Sequence, residues 1–159
     1  MERKKKSRKE RVLELIEKRG LVSFMNTTKW KELKRAVIEE MPFQPKYYMK
    51  IVEMETVNMK HVDATINETM WCNYWKGEAH WGYLDDPRFE DLLSWDCFAT
   101  PFWAIEWIKV KPKKGISQDG LVVSEIVDAT KQFVAILKRY NIPYEEENGV
   151  YTIYGYRGS

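Results

Sequence analysis

Apolar positions recur along this chain in two periods, and the switches between them mark out its elements. Ser7 with Glu10 three residues on forms a capping box and Gly20 offers a stop, so Ser7 to Arg19 is predicted as a short helix bearing Val12, Leu13 and Ile16. Asn26, Thr27 and Thr28 supply N-caps for a second helix, in which Trp30, Leu33, Val37, Ile38 and Met41 return at helical spacing until Pro42 ends it. From Lys46 the period shortens to two. Tyr47 to Glu55 and Val57 to Ile66 read as two antiparallel strands with one wet face, and Thr69 to Lys76 as a third strand covered on both sides. Gly77 and Gly82 punctuate a turn, and Asp86 before Pro87 opens a short helix through Leu93.

Phe102 to Val110 is the clearest central strand. Alternation puts Trp103, Ile105 and Trp107 on one face, and Phe102, Ala104, Glu106, Ile108 and Val110 on the other. Lys111 to Gly120 is then a polar loop leading to Ser124, which caps a helix with Glu125 and Asp128 in its first turn and Lys138 and Arg139 in its last. Its stripe is Ile126, Val127, Thr130, Phe133, Val134, Leu137 and Tyr140. The segment Ile142 to Arg157 is a hairpin, because Asn148-Gly149 tolerates the positive φ angles of a type I′ turn. Tyr151 and Ile153 point one way, while Val150, Thr152, Tyr154 and Tyr156 point the other. Glu145, Glu146 and Glu147 form an acidic lip beside these tyrosines, a docking candidate for a basic partner, although glutamates guarding an edge strand are the commoner explanation.

Composition narrows this to a class. With 44% apolar and 31% charged residues in 159 positions, the chain fits one compact globular α+β domain, with three to four helices on an antiparallel or mixed sheet. No stretch approaches the 18 apolar residues of a membrane span, and the segment after the basic start is too charged for a signal peptide. We therefore expect a cytoplasmic protein without membrane association, with Cys72 and Cys97 as reduced thiols. Charge is uneven: residues 1–20 hold nine Lys or Arg against four Glu, which leaves the other 139 residues at −3. The expected division is a basic helical extension over 1–24 and the α+β domain over 25–159, with Met25 as a candidate natural start. An acidic body is a poor grip for nucleic acid, so only the arm, through Lys4, Lys5, Lys6, Arg8 and Lys9, is a candidate for that contact; a solvated basic tail is the commoner explanation.

Candidate chemistry is sparse. His61 and His80 have no companion at metal spacing, no CxxC or HExxH occurs, and neither a phosphate loop nor a nucleophile elbow is present, so no metal, cofactor or catalytic residue is assigned. Six of the seven tryptophans fall between Trp71 and Trp107. Trp103 and Trp107 are read as core, whereas Trp81 and Trp95, flanking the aspartate-rich segment, are read as a recognition face with Asp85, Asp86 and Asp96. Glu106, set among Phe102, Ala104 and Ile108, would need an ionic partner or an upward pKa shift, and it joins the candidate binding residues.

The strand Pro101-Phe102-Trp103-Ala104-Ile105-Glu106-Trp107-Ile108 and the later run Ile142-Pro143-Tyr144-Glu145-Glu146-Glu147-Asn148-Gly149-Val150-Tyr151-Thr152-Ile153-Tyr154-Gly155-Tyr156-Arg157 resemble a family of small uncharacterised bacterial proteins. Asn26-Thr27-Thr28-Lys29-Trp30 also resembles the way such proteins begin, so the likeness covers about residues 25–157. It transfers no catalytic residue. By analogy of fold with small bacterial binders, immunity proteins among them, it implies a non-catalytic module whose partner is another protein. A nucleic-acid-associated regulator using residues 1–20, and a small-substrate hydrolase with carboxylates near the tryptophans, are the alternatives.

Overall fold

The computed structural model describes residues 5–53, 88, 91–95, 98–116 and 125–158. The expected strands over 57–66 and 69–76 and both cysteines lie outside the described residues. Helix α1 (Arg8–Lys18) starts at the predicted cap, where the Ser7 hydroxyl accepts from the Glu10 amide at 3.2 Å, and the chain leaves through Gly20 at φ 65°. Of its three predicted apolar residues only Val12 is fully buried; Leu13 is 50% exposed. Strand β1 (Leu21–Ser23) follows. Helix α2 (Thr27–Glu40) is capped by Asn26, whose side-chain oxygen accepts from the Lys29 amide at 2.8 Å, and it buries Trp30, Leu33, Ala36 and Val37.

Strand β2 (Lys46–Ile51) comes next, then a hairpin of β3 (Leu92–Trp95) and β4 (Phe98–Pro101). This corrects the end of the helix expected from Asp86 through Leu93, part of which lies outside the described residues. Leu92 and Leu93 pair with Pro101 and Thr100 instead, which buries the Leu93 side chain completely. A 3₁₀ turn over Phe102–Ala104 then delivers β5 (Ile105–Lys111), so the central strand begins three residues later than its apolar run suggests. The expected loop and helix start are corrected too. Strands β6 (Lys113–Ile116) and β7 (Glu125–Asp128) pair antiparallel, with Lys113 opposite Asp128, and helix α3 (Thr130–Arg139) begins only after them. Asp128 is thus the last residue of a strand, and its carboxylate accepts from the Thr130 amide at 2.9 Å. Ile126, placed on the helical stripe by sequence, is 66% exposed.

The remaining strands are β8 (Glu145–Glu147), β9 (Val150–Tyr154) and β10 (Tyr156–Gly158). Asn148 and Gly149 adopt φ 52° and 80°, the double positive of the expected type I′ turn. The main sheet has order β2-β5-β9-β8, all antiparallel, and β1-β10 forms a separate two-stranded ladder. Together these make an α+β fold with three α-helices among the described residues. One sheet face, with Tyr47, Met49, Ile108, Val110, Tyr151 and Ile153, packs into a core with Leu33 and Val37 of α2 and Phe133, Ile136 and Leu137 of α3. Trp30 stacks on Phe102 with ring centroids 5.9 Å apart, and Phe133 meets Tyr151 edge-on at 5.8 Å.

Candidate functional site

The register between β2 and β5 slips at one point, and Glu106 occupies it. Lys50 pairs with Trp107 while Ile51 pairs with Ile105, so Glu106 is the extra residue of a β-bulge. A bulge breaks the strict alternation, and Ile105 and Ile108 accordingly share the core. The strict alternation expected from Phe102 to Val110 fails at this point, while Glu106 is buried and has the ionic partner that its burial was expected to require, Lys50. Its Oε1 accepts from Lys50 Nζ at 2.7 Å and from Arg19 Nη1 at 2.6 Å, while Arg19 Nη1 also donates to the Val52 carbonyl at 3.3 Å. Glu106 and Lys50 expose 11% and 5% of their side chains, and Arg19 exposes 31%. One carboxylate thus ties together the residue after α1, an edge strand and a central strand. Both protons that Oε1 accepts come from cations, so this oxygen is engaged in binding the chain to itself.

The same corner holds a second clamp. Arg8 donates from Nε and Nη2 to the two carboxylate oxygens of Glu53, both at 2.9 Å, and this fork raises its pKa further. The guanidinium lies 5.5 Å from the centroid of the Trp103 ring, and Lys9 Nζ lies 6.0 Å from it. Lys6 pairs with Glu14 at 2.7 Å. Three of the five cations nominated for nucleic acid are therefore turned to the body or to their own helix; Lys5 is exposed, and Lys4 lies outside the described residues. Of the other nominated residues, Trp81, Asp85, Asp86 and Asp96 lie outside the described residues. Trp95 has its backbone in β3, paired with Phe98.

Beside the corner, the β1-β10 ladder shows an apolar and aromatic face. Val22 is 48% and Phe24 41% exposed, and Val22 pairs with Arg157. The Arg157 guanidinium lies 4.7 Å over the Tyr154 ring and is ion-paired with Glu145 of the acidic lip. Gly155, between β9 and β10, has no room for a side chain: a Cβ there would come 2.1 Å from the Ile105 carbonyl oxygen. Its amide donates to the Glu106 carbonyl at 2.8 Å, and its carbonyl accepts from the Phe24 amide at 2.9 Å. The face is thereby pinned to the bulge.

Sequence reasoning missed Lys34. It is buried on α2 with Nζ donating to the Leu92 carbonyl at 2.8 Å, and burial pushes its pKa down against the pull of Asp91. The signal was present, because Lys34 falls four residues after Trp30 and three before Val37, on the core stripe itself. Among the described residues no group of His, Cys, Asp or Glu could hold a metal ion, and no helix is long and apolar enough to cross a membrane.

A family model described as a family of unknown function (DUF6678) matches residues 12–159. The match opens at the buried Val12, ahead of Met25, and so takes in most of α1 and all of β1. No curated protein and no solved structure matches the chain.

Proposed function

The chain belongs to that family of unknown function, and on this footing we propose that it is a non-catalytic module that binds another protein. The observation that carries the reading is the exposed face of β1-β10. Three of the four exposed large hydrophobics among the described residues, Leu13, Val22 and Phe24, fall on the α1-β1 segment, and Val22 pairs with Arg157, whose guanidinium lies over Tyr154. Aromatic residues and arginine on an otherwise polar surface are the usual anchors of protein contacts. Glu106, the acid best placed by sequence for chemistry, is instead neutralised by Arg19 and Lys50.

The acidic lip of Glu145, Glu146 and Glu147 borders this face and favours a basic partner, as in a toxin held by an immunity protein. Trp81 and Trp95 are proposed on their sequence as a second pair of anchors. The engagement of Arg8 with Glu53 and of Lys6 with Glu14 weighs against the nucleic-acid alternative, which needs those charges for phosphates. Affinity capture from native lysate tests the proposal, using the wild-type chain beside a Phe24→Ala/Arg157→Ala variant. A stoichiometric partner held by the first and lost by the second is expected; repeated capture without a partner, or equal capture by both, would refute it.

A further inference from the structure

We propose that β1, which pairs only with β10 among the described residues, presents an edge to which a second copy of this chain adds its own β1, antiparallel and centred on Val22. The inference rests on reading β1-β10 as a contact face, and it needs no foreign partner. The Phe24 amide donates to the Gly155 carbonyl across the ladder to β10. Peptide groups two residues apart on a strand point the same way, so Val22 and Phe24 turn theirs toward β10 while Leu21 and Ser23 turn theirs outward. In a twofold pairing centred on Val22, Leu21 faces Ser23 of the second copy and Ser23 faces its Leu21. Those are the residues whose amides and carbonyls point out, so the hydrogen-bonding phase is correct without any shift.

The side chains fit the same register. Val22 meets Val22 of the second copy, and each Phe24 reaches past the end of the other strand, where Gly20 at φ 65° leaves the extended register and has nothing within 4 Å of its would-be Cβ. The two copies thus form one apolar stripe, Phe24-Val22-Val22-Phe24, from residues that are 41% and 48% exposed in the single chain. Charge also permits it. Leu21 to Phe24 carries no charged residue, and Arg19, the nearest charge along the chain, is engaged with Glu106. The contrast with β8 is direct: that edge exposes Glu145, Glu146 and Glu147, and self-pairing there would set glutamates against glutamates.

A three-residue edge makes a small contact, so the expected state is a monomer-dimer equilibrium visible at high protein concentration. Sedimentation equilibrium of the full chain, from micromolar to millimolar, reads it. Ser23→Pro removes an outward amide from each copy, hence two hydrogen bonds, and should weaken the dimer roughly thirtyfold. Val22→Lys leaves the backbone intact, sets two like charges face to face, and should leave a monomer throughout; it decides the question where Ser23→Pro lowers the melting temperature. A wild-type chain that stays monomeric at millimolar concentration overturns the inference, as does a dimer that Val22→Lys leaves unchanged. A monomeric chain that still captures a foreign partner through Phe24 removes the second copy and keeps the protein-binding reading. A dimer with no foreign partner does the reverse.

Discussion

Replacing Glu106 by Gln keeps the shape of the side chain and removes its charge, which leaves Lys50 in a site where only 5% of its side chain reaches solvent. An opposite charge in contact is worth about 4 kcal/mol or more before desolvation at the effective dielectric of such sites. Breaking a buried pair by deleting one partner costs about 3–5 kcal/mol, because the surviving ion keeps its desolvation penalty without its counter-charge. Arg19 adds little to that figure, since 31% of its side chain is exposed and water takes over part of its solvation. We expect Glu106→Gln to lose about 3 kcal/mol. Arg19→Ala should lose only about 1 kcal/mol, because Lys50 still neutralises the carboxylate. For a chain of this length those losses correspond to melting-temperature drops of roughly 6–12 °C and 2–4 °C. Urea denaturation of the two variants and the double variant, followed by circular dichroism, measures both the losses and their coupling. If Glu106→Gln is as stable as the wild type, or if Arg19→Ala costs as much as Glu106→Gln, the cluster does not hold the fold as argued.

The other predictions probe separate features. Val12→Ala should cost about 2 kcal/mol and Leu13→Ala under about 0.5 kcal/mol in the same assay, since the first is fully buried and the second half exposed; equal costs would show that α1 does not dock as described. Gly155→Ala forces a Cβ into the Ile105 carbonyl and should cost about 3 kcal/mol, with the β1 amides losing hydrogen-exchange protection first. Gly149→Ala, at φ 80°, should cost about 1 kcal/mol and leave the rest of the fold intact by proton NMR. Burial lowers the Lys34 pKa, so between that lowered value and an ordinary lysine pKa the unfolded chain binds more protons than the folded one and stability gains a component that rises with pH. Lys34→Met lacks this component. The stability of the wild type relative to the variant should therefore increase from pH 7 to pH 10, and a constant difference would overturn the assignment.

What was legible in the sequence is what short-range chemistry specifies. Ser7 and Asn26 cap the helices they were expected to cap, and Asn148-Gly149 turns the hairpin, because each depends on contacts within three or four residues. The misread segments depend on distant partners. Ile126 and Val127 fit a helical stripe with Phe133 as well as they fit a strand, and pairing with Lys114 and Gly115 decides between the two. Leu92 and Leu93 belong to a strand only because β4 lies beside them. The bulge at Glu106 has no local signature, since it is a property of the register between β2 and β5. Arg19 and Glu106, 87 residues apart, carry no spacing that announces their pairing. Lys34, on the core stripe of α2, is a buried charge that the helical period does reveal.

The β1-β10 ladder has a consequence for synthesis. Leu21 pairs with Gly158 and Ser23 with Tyr156, so more than 130 residues separate the two strands. At the usual pace of translation, β1 has left the ribosome for on the order of ten seconds before its native neighbour exists. Throughout that interval β1 lacks β10, the strand it pairs with in the fold. An uncharged strand left without its neighbour is a sticky intermediate. The basic segment that precedes it holds Lys5, Lys6, Arg8, Lys9 and Arg11 within seven residues, and like charges at that density oppose close approach of two nascent chains.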